Sequence, residues 1–169
     1  MERLRWWRCR KESSGPHPIG KVPPALQLDP TFRVALYAVL TALSVTGFGW
    51  LVADELKEGA SGELWQSIAA NLLMLHGGSG MIVLVMFGAL LPLHVRLGWR
   101  AGRNRLMGTV MVTCMTLLTI SAFGLYYIGH ETARDWSKYA HIGIGLALPI
   151  LIVFHIALGR RAAQQIAKG

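Results

Sequence analysis

Four long apolar segments dominate the pattern of hydrophobic and polar positions along the chain. They cover approximately residues 33–53, 69–93, 107–128 and 139–158, and charged residues are concentrated between them. Each segment has the roughly 20 residues that a helix needs to cross ~30 Å of hydrocarbon. A soluble four-helix bundle is disfavoured, because its helices would need a polar face at helical period and these have almost none. The pattern therefore predicts an all-α fold, an integral membrane bundle of four up-and-down helices over residues 33–160.

The composition agrees with a membrane protein. Of the 169 residues, 53% are hydrophobic, and the basic residues behind the net charge of +8 flank the apolar segments. This distribution is typical of a chain whose partner is membrane lipid rather than nucleic acid. Residues 1–32 are polar, basic and rich in proline, so we expect a mostly irregular tail there. Residues 161–169 form a second, short tail.

The charges between the segments predict the orientation of the helices. If the N-terminus is cytoplasmic, all but three of the 17 Lys and Arg residues lie on the cytoplasmic side. The other side then holds only Lys57, Arg134 and Lys138, together with six acidic residues. Cytoplasmic loops of membrane proteins carry an excess of Lys and Arg. The asymmetry therefore predicts that both termini are cytoplasmic.

The second and fourth segments each carry a histidine near both ends. His76 and His141 begin the shared pattern His-x-Gly-x-Gly, and His94 and His155 stand at the other ends. A histidine inside a bilayer costs free energy, so it is expected to have a function. The second and fourth helices of an up-and-down bundle run in the same direction. His76 and His141 are therefore expected near the outer face, and His94 and His155 near the inner face.

Two histidines at one level on facing helices suit a b-type haem, whose iron binds one imidazole on each side without a covalent link to the protein. No CxxCH motif for covalent haem attachment occurs, and Cys9 and Cys114 lie far apart. We therefore predict two non-covalent b haems. Their iron ligands are expected to be His76 with His141 and His94 with His155.

The spacing of the histidines does not match between the two segments. Eighteen residues separate His76 from His94, whereas 14 separate His141 from His155. The difference is about 6 Å along a helix at 1.5 Å per residue. Kinks at Pro92 and Pro149 would absorb part of it. The alternative is a single haem between the outer histidines.

Glycines and one arginine complete the predicted sites. Gly78, Gly80, Gly143 and Gly145 are expected to let a flat macrocycle approach the helices, the alternative being close packing of helices on small residues. Arg96, two residues after His94, is expected to pair with a haem propionate, since guanidinium binds carboxylates well. The alternative is that the positive charge of Arg96 serves only to set the membrane orientation of the helices.

The chain also has the pattern of a duplicated helix pair. Ser44-x-x-Gly47 in the first segment matches Ser121-x-x-Gly124 in the third, and a His-x-Gly-x-Gly segment follows each. Gly47 and Gly124 are expected to make room for a macrocycle in the same way. The duplication predicts that the two halves supply ligands in level pairs.

This arrangement resembles the bacterial four-helix di-haem cytochromes b of the inner membrane, and it is similar in plan to the cytochrome b subunits of hydrogenases and formate dehydrogenases. The resemblance covers about residues 33–160. It rests on the four histidines and on the sequence His-Val-Arg-Leu-Gly-Trp-Arg at 94–100. It implies transmembrane electron transfer between the quinone pool and a redox partner subunit, periplasmic or membrane-bound. A substrate-reducing centre would belong to that partner.

Two other functions are compatible with the sequence. A transporter would use the histidines to bind a transition metal or relay protons, but it predicts acids or thiols beside them, and Cys114 is the one such residue inside the apolar segments. A structural membrane anchor would carry the histidines incidentally. His130, just after the third segment, is expected to be a solvated loop residue, with a role as haem ligand, propionate partner or proton-transfer group as the alternative.

Overall fold

The computed structural model describes residues 28–59, 62–100, 102 and 104–168, and within them the chain is helical with short turns and no strand. The helices are α1 (Pro30–Leu56), α2 (Gly62–Leu90), α3 (Arg96–Arg100), α4 (Arg105–Tyr127) and α5 (Glu131–Lys168). A π-helical turn, Leu91–Val95, joins α2 to α3. The N-terminal residues 1–27 and Arg103, with the charges predicted to be cytoplasmic there, lie outside the described residues.

Four helical stretches are long and apolar enough to cross a membrane. They are Pro30–Leu56, Gly62–Arg100, Arg105–Tyr127 and Glu131–Arg161. Large apolar side chains such as Val85 and Leu106 point outward along them, which suits contact with lipid. The predicted all-α, four-helix membrane fold is confirmed, and the protein is a multi-pass membrane protein.

The first helix begins earlier than its apolar segment. Asp29 caps α1, because its carboxylate accepts hydrogen bonds from the backbone N–H groups of Thr31 (2.9 Å) and Phe32 (3.2 Å). Pro30 occupies the first turn, where its missing N–H costs nothing. The helix therefore begins within the last three residues of the mostly irregular tail predicted for residues 1–32, and residues 1–27 of that tail lie outside the described residues.

Short turns make neighbouring helices antiparallel. α1 packs along α2, and α4 packs along α5, so the bundle consists of two helical hairpins. At the end of α1, Lys57 forms an ion pair of 2.6 Å with Asp54, and this hydrogen bond raises the pKa of Lys57. At the opposite end of the bundle, Arg105 donates a hydrogen bond to the carbonyl of Trp99 (3.1 Å) and lies over its indole ring.

Few side chains of the described residues are buried. The buried apolar residues are Ala53, Ala69, Val83 and Leu148, and no large side chain is fully buried among the described residues. α1 also approaches α5, whereas α2 and α5 rarely come close along their backbones. α2 and α5 thus face each other across the interior, and their histidine side chains bridge it.

Candidate functional site

The structure brings the four membrane histidines together in two pairs. The imidazole centroids of His76 and His141 are 6.2 Å apart, with ring planes 80° apart. Those of His94 and His155 are 6.3 Å apart, with ring planes 75° apart. Each pair joins α2 to α5. The outer pair (His76 and His141) and the inner pair (His94 and His155) are the partners that the sequence pattern predicts.

Both separations suit two imidazoles on opposite sides of one metal ion. A bond from a metal to a histidine nitrogen is about 2.0–2.1 Å, and the radius of a five-membered ring with bonds of about 1.35 Å is about 1.1 Å. Two rings bonded to the same ion from opposite sides would therefore have centroids about 6.3 Å apart. The agreement holds at both levels of the bundle.

The backbone of α1 orients the outer histidine of α2. The Nδ1 atom of His76 lies 2.9 Å from the carbonyl oxygen of Leu43 and 3.4 Å from the hydroxyl of Thr46. A carbonyl oxygen can only accept, so Nδ1 carries the ring proton and donates it. The Nε2 atom then keeps its lone pair, as a metal ligand requires. A hydrogen bond of this kind from the second ring nitrogen is typical of metal-binding histidines.

A serine of α4 orients the outer histidine of α5. The Nδ1 atom of His141 lies 3.0 Å from the Ser121 hydroxyl, and that hydroxyl donates its own proton to the carbonyl of Leu118 at 3.1 Å. Because a hydroxyl has one proton, the Ser121 oxygen accepts from His141. His141 therefore carries its proton on Nδ1 and leaves Nε2 free. Both outer histidines have the same tautomer, imposed by different helices.

The inner histidines lack this support. The Nδ1 atoms of His94 and His155 are buried, and neither has a hydrogen-bond partner among the described residues. An unsatisfied buried polar group costs about 1–3 kcal/mol. Packing alone therefore holds the inner rings, and the outer pair is the better-organised pair of potential ligands.

Gly47 makes room for the His76 ring. A Cβ atom at this position would lie 2.8 Å from Cε1 and 3.0 Å from Nδ1 of His76. Contacts below 3.0 Å are not tolerated without movement, so a side chain at residue 47 would displace the imidazole. Gly47 thus provides space for the His76 ring, and its role beside a macrocycle stays a prediction.

The internal duplication has a different register from the one predicted. Leu43 and Thr46 lie at His76 as Leu118 and Ser121 lie at His141. Thr46, not Ser44, is thus the counterpart of Ser121. The predicted match of Ser44 and Gly47 with Ser121 and Gly124 is wrong by two residues, because it aligned identical letters and missed that Ser and Thr offer the same hydroxyl.

The same register continues into the packing of the two hairpins. Gly80 contacts Leu43, with 3.7 Å from its ideal Cβ position to the side chain, and Gly145 contacts Leu118 at 3.8 Å. Similarly, Gly124 faces the Ser137 side chain, as Gly49 faces that of Leu72. Gly124 therefore serves packing within its own hairpin and does not face a histidine as Gly47 does.

The four glycines of the His-x-Gly-x-Gly motifs fall on two helix faces. Gly80 and Gly145, four residues after the histidines, are about 40° from them around the helix, and they pack against leucines. Gly78 and Gly143, two residues after the histidines, are about 200° away, and nothing lies within 4 Å of their ideal Cβ positions. The geometry therefore favours helix packing for the first two and gives the last two no surface toward the histidines.

Arg96 and His130 are both exposed. Arg96 is the first residue of α3, directly after the π-helical turn, and its backbone N–H donates to the carbonyl of Leu91. This places it at the same end of the bundle as His94, and its pairing with a propionate stays a prediction. His130 lies in the turn before α5, where its carbonyl accepts the N–H of Arg134.

Neither pair gains a third protein ligand. Within the part of the chain that the structure describes, no three His, Cys, Asp or Glu side chains come together to hold a metal ion. A structural zinc site takes four protein ligands, and a catalytic one takes three. Two imidazoles at one level instead suit an ion that takes its other ligands from a cofactor, as haem iron does from the porphyrin nitrogens.

The sequence pattern did not identify the groups that orient the outer rings. The Leu43 carbonyl belongs to the backbone and leaves no trace in the sequence, and Thr46 resembles the many other Thr residues that bond their own helix. The pattern Leu-x-x-Ser/Thr-x-x-Gly, which occurs at 43–49 and again at 118–124, was the available signal.

Compared with known proteins, the chain matches no family model, no curated protein and no solved structure.

Proposed function

We propose that the protein is a transmembrane electron carrier that holds two b-type haems between its hairpins. His76 and His141 ligate the outer haem, and His94 and His155 ligate the inner haem. The chain relays electrons between the quinone pool and a redox partner subunit at the bacterial inner membrane. Any substrate chemistry belongs to that partner, because this chain consists almost entirely of membrane helices.

One observation carries this proposal. Two histidine pairs, at two levels of the same two helices, have separations of 6.2 Å and 6.3 Å. Ordinary edge-to-face ring pairs also have centroids about 4.5–7 Å apart, so the support comes from the recurrence of the same pairing at both levels together with its match to bis-imidazole ligation. Along α5, the two levels are 14 residues apart, which is about 21 Å at 1.5 Å per residue. This separation sets one haem toward each side of a ~30 Å hydrocarbon layer.

The donor set favours haem over a transported metal ion or a proton relay. A metal site in a transporter would need more ligands than two nitrogens, and no acid or thiol joins either pair among the described residues. Haem supplies the other four ligands itself. When bound, haem would take up and release single electrons, and the protein would supply two imidazole ligands, orientation and an apolar surrounding that tune its potential.

The residues of the chain divide these tasks. The Leu43 carbonyl and the Ser121 hydroxyl hold the outer imidazoles through Nδ1, which leaves the Nε2 atoms for a metal ion. Gly47 keeps the His76 ring in place by leaving room for it. Val83 and Leu148, buried between the two levels, exclude water from the interior. A pocket for quinone is not assigned to particular residues.

The haem content of the purified protein tests the proposed function. We expect two non-covalent b haems per chain when the protein is expressed with adequate haem and purified in detergent. A pyridine haemochrome assay counts them, and a reduced-minus-oxidised spectrum shows that they are redox-active. A variant with all four membrane histidines changed to alanine is the control. No haem in the wild-type chain would contradict the proposal.

The proposed orientation places both termini in the cytoplasm. The described basic residues Arg96, Arg100, Arg105, Arg160 and Arg161 then lie inside, as the positive-inside rule requires. We expect a C-terminal reporter that functions only in the cytoplasm to be active, and the same reporter placed in the turn after α1 to be inactive. A reporter that functions only in the periplasm should give the opposite pattern. Periplasmic activity at the C-terminus would reverse the orientation and exchange the outer and inner haems.

A further inference from the structure

The two helices that carry the histidines pair them at two levels although the spacing between the histidines differs. α2 and its continuation place 18 residues between the paired histidines, and α5 places 14. The centroid distances of the two pairs nevertheless agree to 0.1 Å. The conformation of the longer segment must therefore accommodate its four extra residues.

The surplus lies in the inner half of the segment. Val83 and Leu148 are each seven residues after their outer histidine, and both are only 3% exposed. Gly80 and Gly145, four residues after the histidines, also make the same leucine contacts. The two helices are thus in register from the outer pair to Val83 and Leu148. From there, α5 reaches His155 in seven more residues, whereas the other helix reaches His94 in eleven.

The π-helical turn lies in this inner half and contains His94. It spans Leu91–Val95, and the N–H of Arg96 donates to the carbonyl of Leu91, five residues earlier. Pro92 explains its position, because proline has no N–H to donate and its ring clashes with the carbonyl four residues before it, that of Gly88. α5 also contains a proline, Pro149, but stays α-helical through His155.

The π turn changes the direction in which His94 points. Eighteen residues of α-helix return to the starting face, whereas 14 residues end about 40° before it. A π-helix turns by about 80° per residue rather than about 100°, because its hydrogen bonds span five residues instead of four. Over the three steps from Leu91 to His94, the chain therefore turns about 60° less than an α-helix would. Measured around each helix axis from its outer histidine, the directions of His94 and His155 then differ by only about 20°. The smaller rise of the wider turn removes part of the axial surplus.

We infer that the π-helical turn at Leu91–Val95 is the device that sets the inner haem site, and that Pro92 is its positioning residue. The inference rests on the proposed function and adds a specific role for a residue that touches neither haem iron nor substrate. It also explains how a chain with unequal histidine spacings assembles two equal pairs.

The test is the substitution Pro92→Ala in the full chain, compared with Pro149→Ala. Restoring an α-helical hydrogen bond at residue 92 should rotate His94 away from His155. We expect the haem content to fall from two toward about one per chain, since disturbed ligand support typically costs 10–100-fold in metal affinity. Any inner haem that remains should show a changed low-spin ferric signal in electron paramagnetic resonance. Pro149→Ala, which removes a proline from a helix that is already regular, should keep both haems.

The outer haem serves as the internal control for folding. If Pro92→Ala loses both haems, the double variant Leu91→Pro with Pro92→Ala keeps the proline content and moves the helix break by one residue. It should disturb the inner haem alone. The inference is overturned if either variant retains two haems with an unchanged resonance signal, or if both variants disturb the two haems equally. A wild-type chain without haem would instead overturn the proposed function itself.

Discussion

Under the proposed function, we expect the change of His76 or His141 to alanine to remove one haem, the same haem in both variants. We expect the change of His94 or His155 to remove the other. Each haem would depend on two imidazoles from different helices, so the loss of either ligand should empty that site. We expect each single variant to retain about one haem per chain, and the double variant His76→Ala/His141→Ala to lose no more than either single variant, because residues that act as one unit are not additive. Haem quantification together with redox titration, which separates two haems of different potential, measures both effects.

The matched control is His130→Ala. This histidine lies on the same side as the outer pair, but it is exposed in the turn before α5 and does not belong to either pair. It should retain two haems. A different pairing, in which His76 and His94 variants lose the same haem, would contradict the level arrangement. Loss of the outer haem in His130→Ala would make His130 a ligand and refute the assignment of His76 or His141.

Gly47→Ala should weaken the outer haem and leave the inner one unchanged. The added Cβ atom would lie 2.8 Å from Cε1 of His76, so the ring must move away from α1. The movement breaks or lengthens the 2.9 Å hydrogen bond to the Leu43 carbonyl. Loss of such a hydrogen bond typically lowers metal affinity 10–100-fold. Transfer of haem from the protein to an excess of a competing haem-binding protein, followed optically, measures the affinity of each site.

The expected loss cannot come from a weaker helix. Alanine has a higher helix propensity than glycine by about 1 kcal/mol, so the substitution favours α1 itself. Gly78→Ala is the control, because it makes the same change on α2 at a position with open space around it. If Gly47→Ala and Gly78→Ala released the outer haem at equal rates, the close approach of residue 47 to His76 would have no role in holding the ligand.

Much of the architecture follows from the sequence because the membrane imposes simple requirements. An apolar run of about 20 residues must form a helix that satisfies its own backbone hydrogen bonds. Four such runs joined by short connections then lie antiparallel. Histidines near the ends of the second and fourth runs must therefore share two levels, and the structure places His76 beside His141 and His94 beside His155. These features depend on composition and order alone.

Features that depend on rotation of one helix against another could not be read from the chain. The helical period places Gly80 near the face of His76 and Gly78 opposite it, but only the packed hairpin shows that Gly80 contacts Leu43. The true register of the duplication, Thr46 with Ser121, also depends on which hydroxyl reaches an imidazole. The identical residue types at Ser44 and Ser121 favoured the wrong alignment of the two halves.

The sequence by itself determined the four membrane helices, the two histidine levels and the surplus of four residues before His94. The tertiary structure decided how the surplus is accommodated, through a π-helical turn at Pro92, and which groups orient the outer rings. The physical reason is the range of the interactions. Hydrophobic length and chain direction are local properties, whereas the angle at which a ring meets its partner depends on the packing of four helices at once. Every residue of the chain has a backbone carbonyl. That of Leu43 acquires a role only because α1 brings it within 2.9 Å of His76.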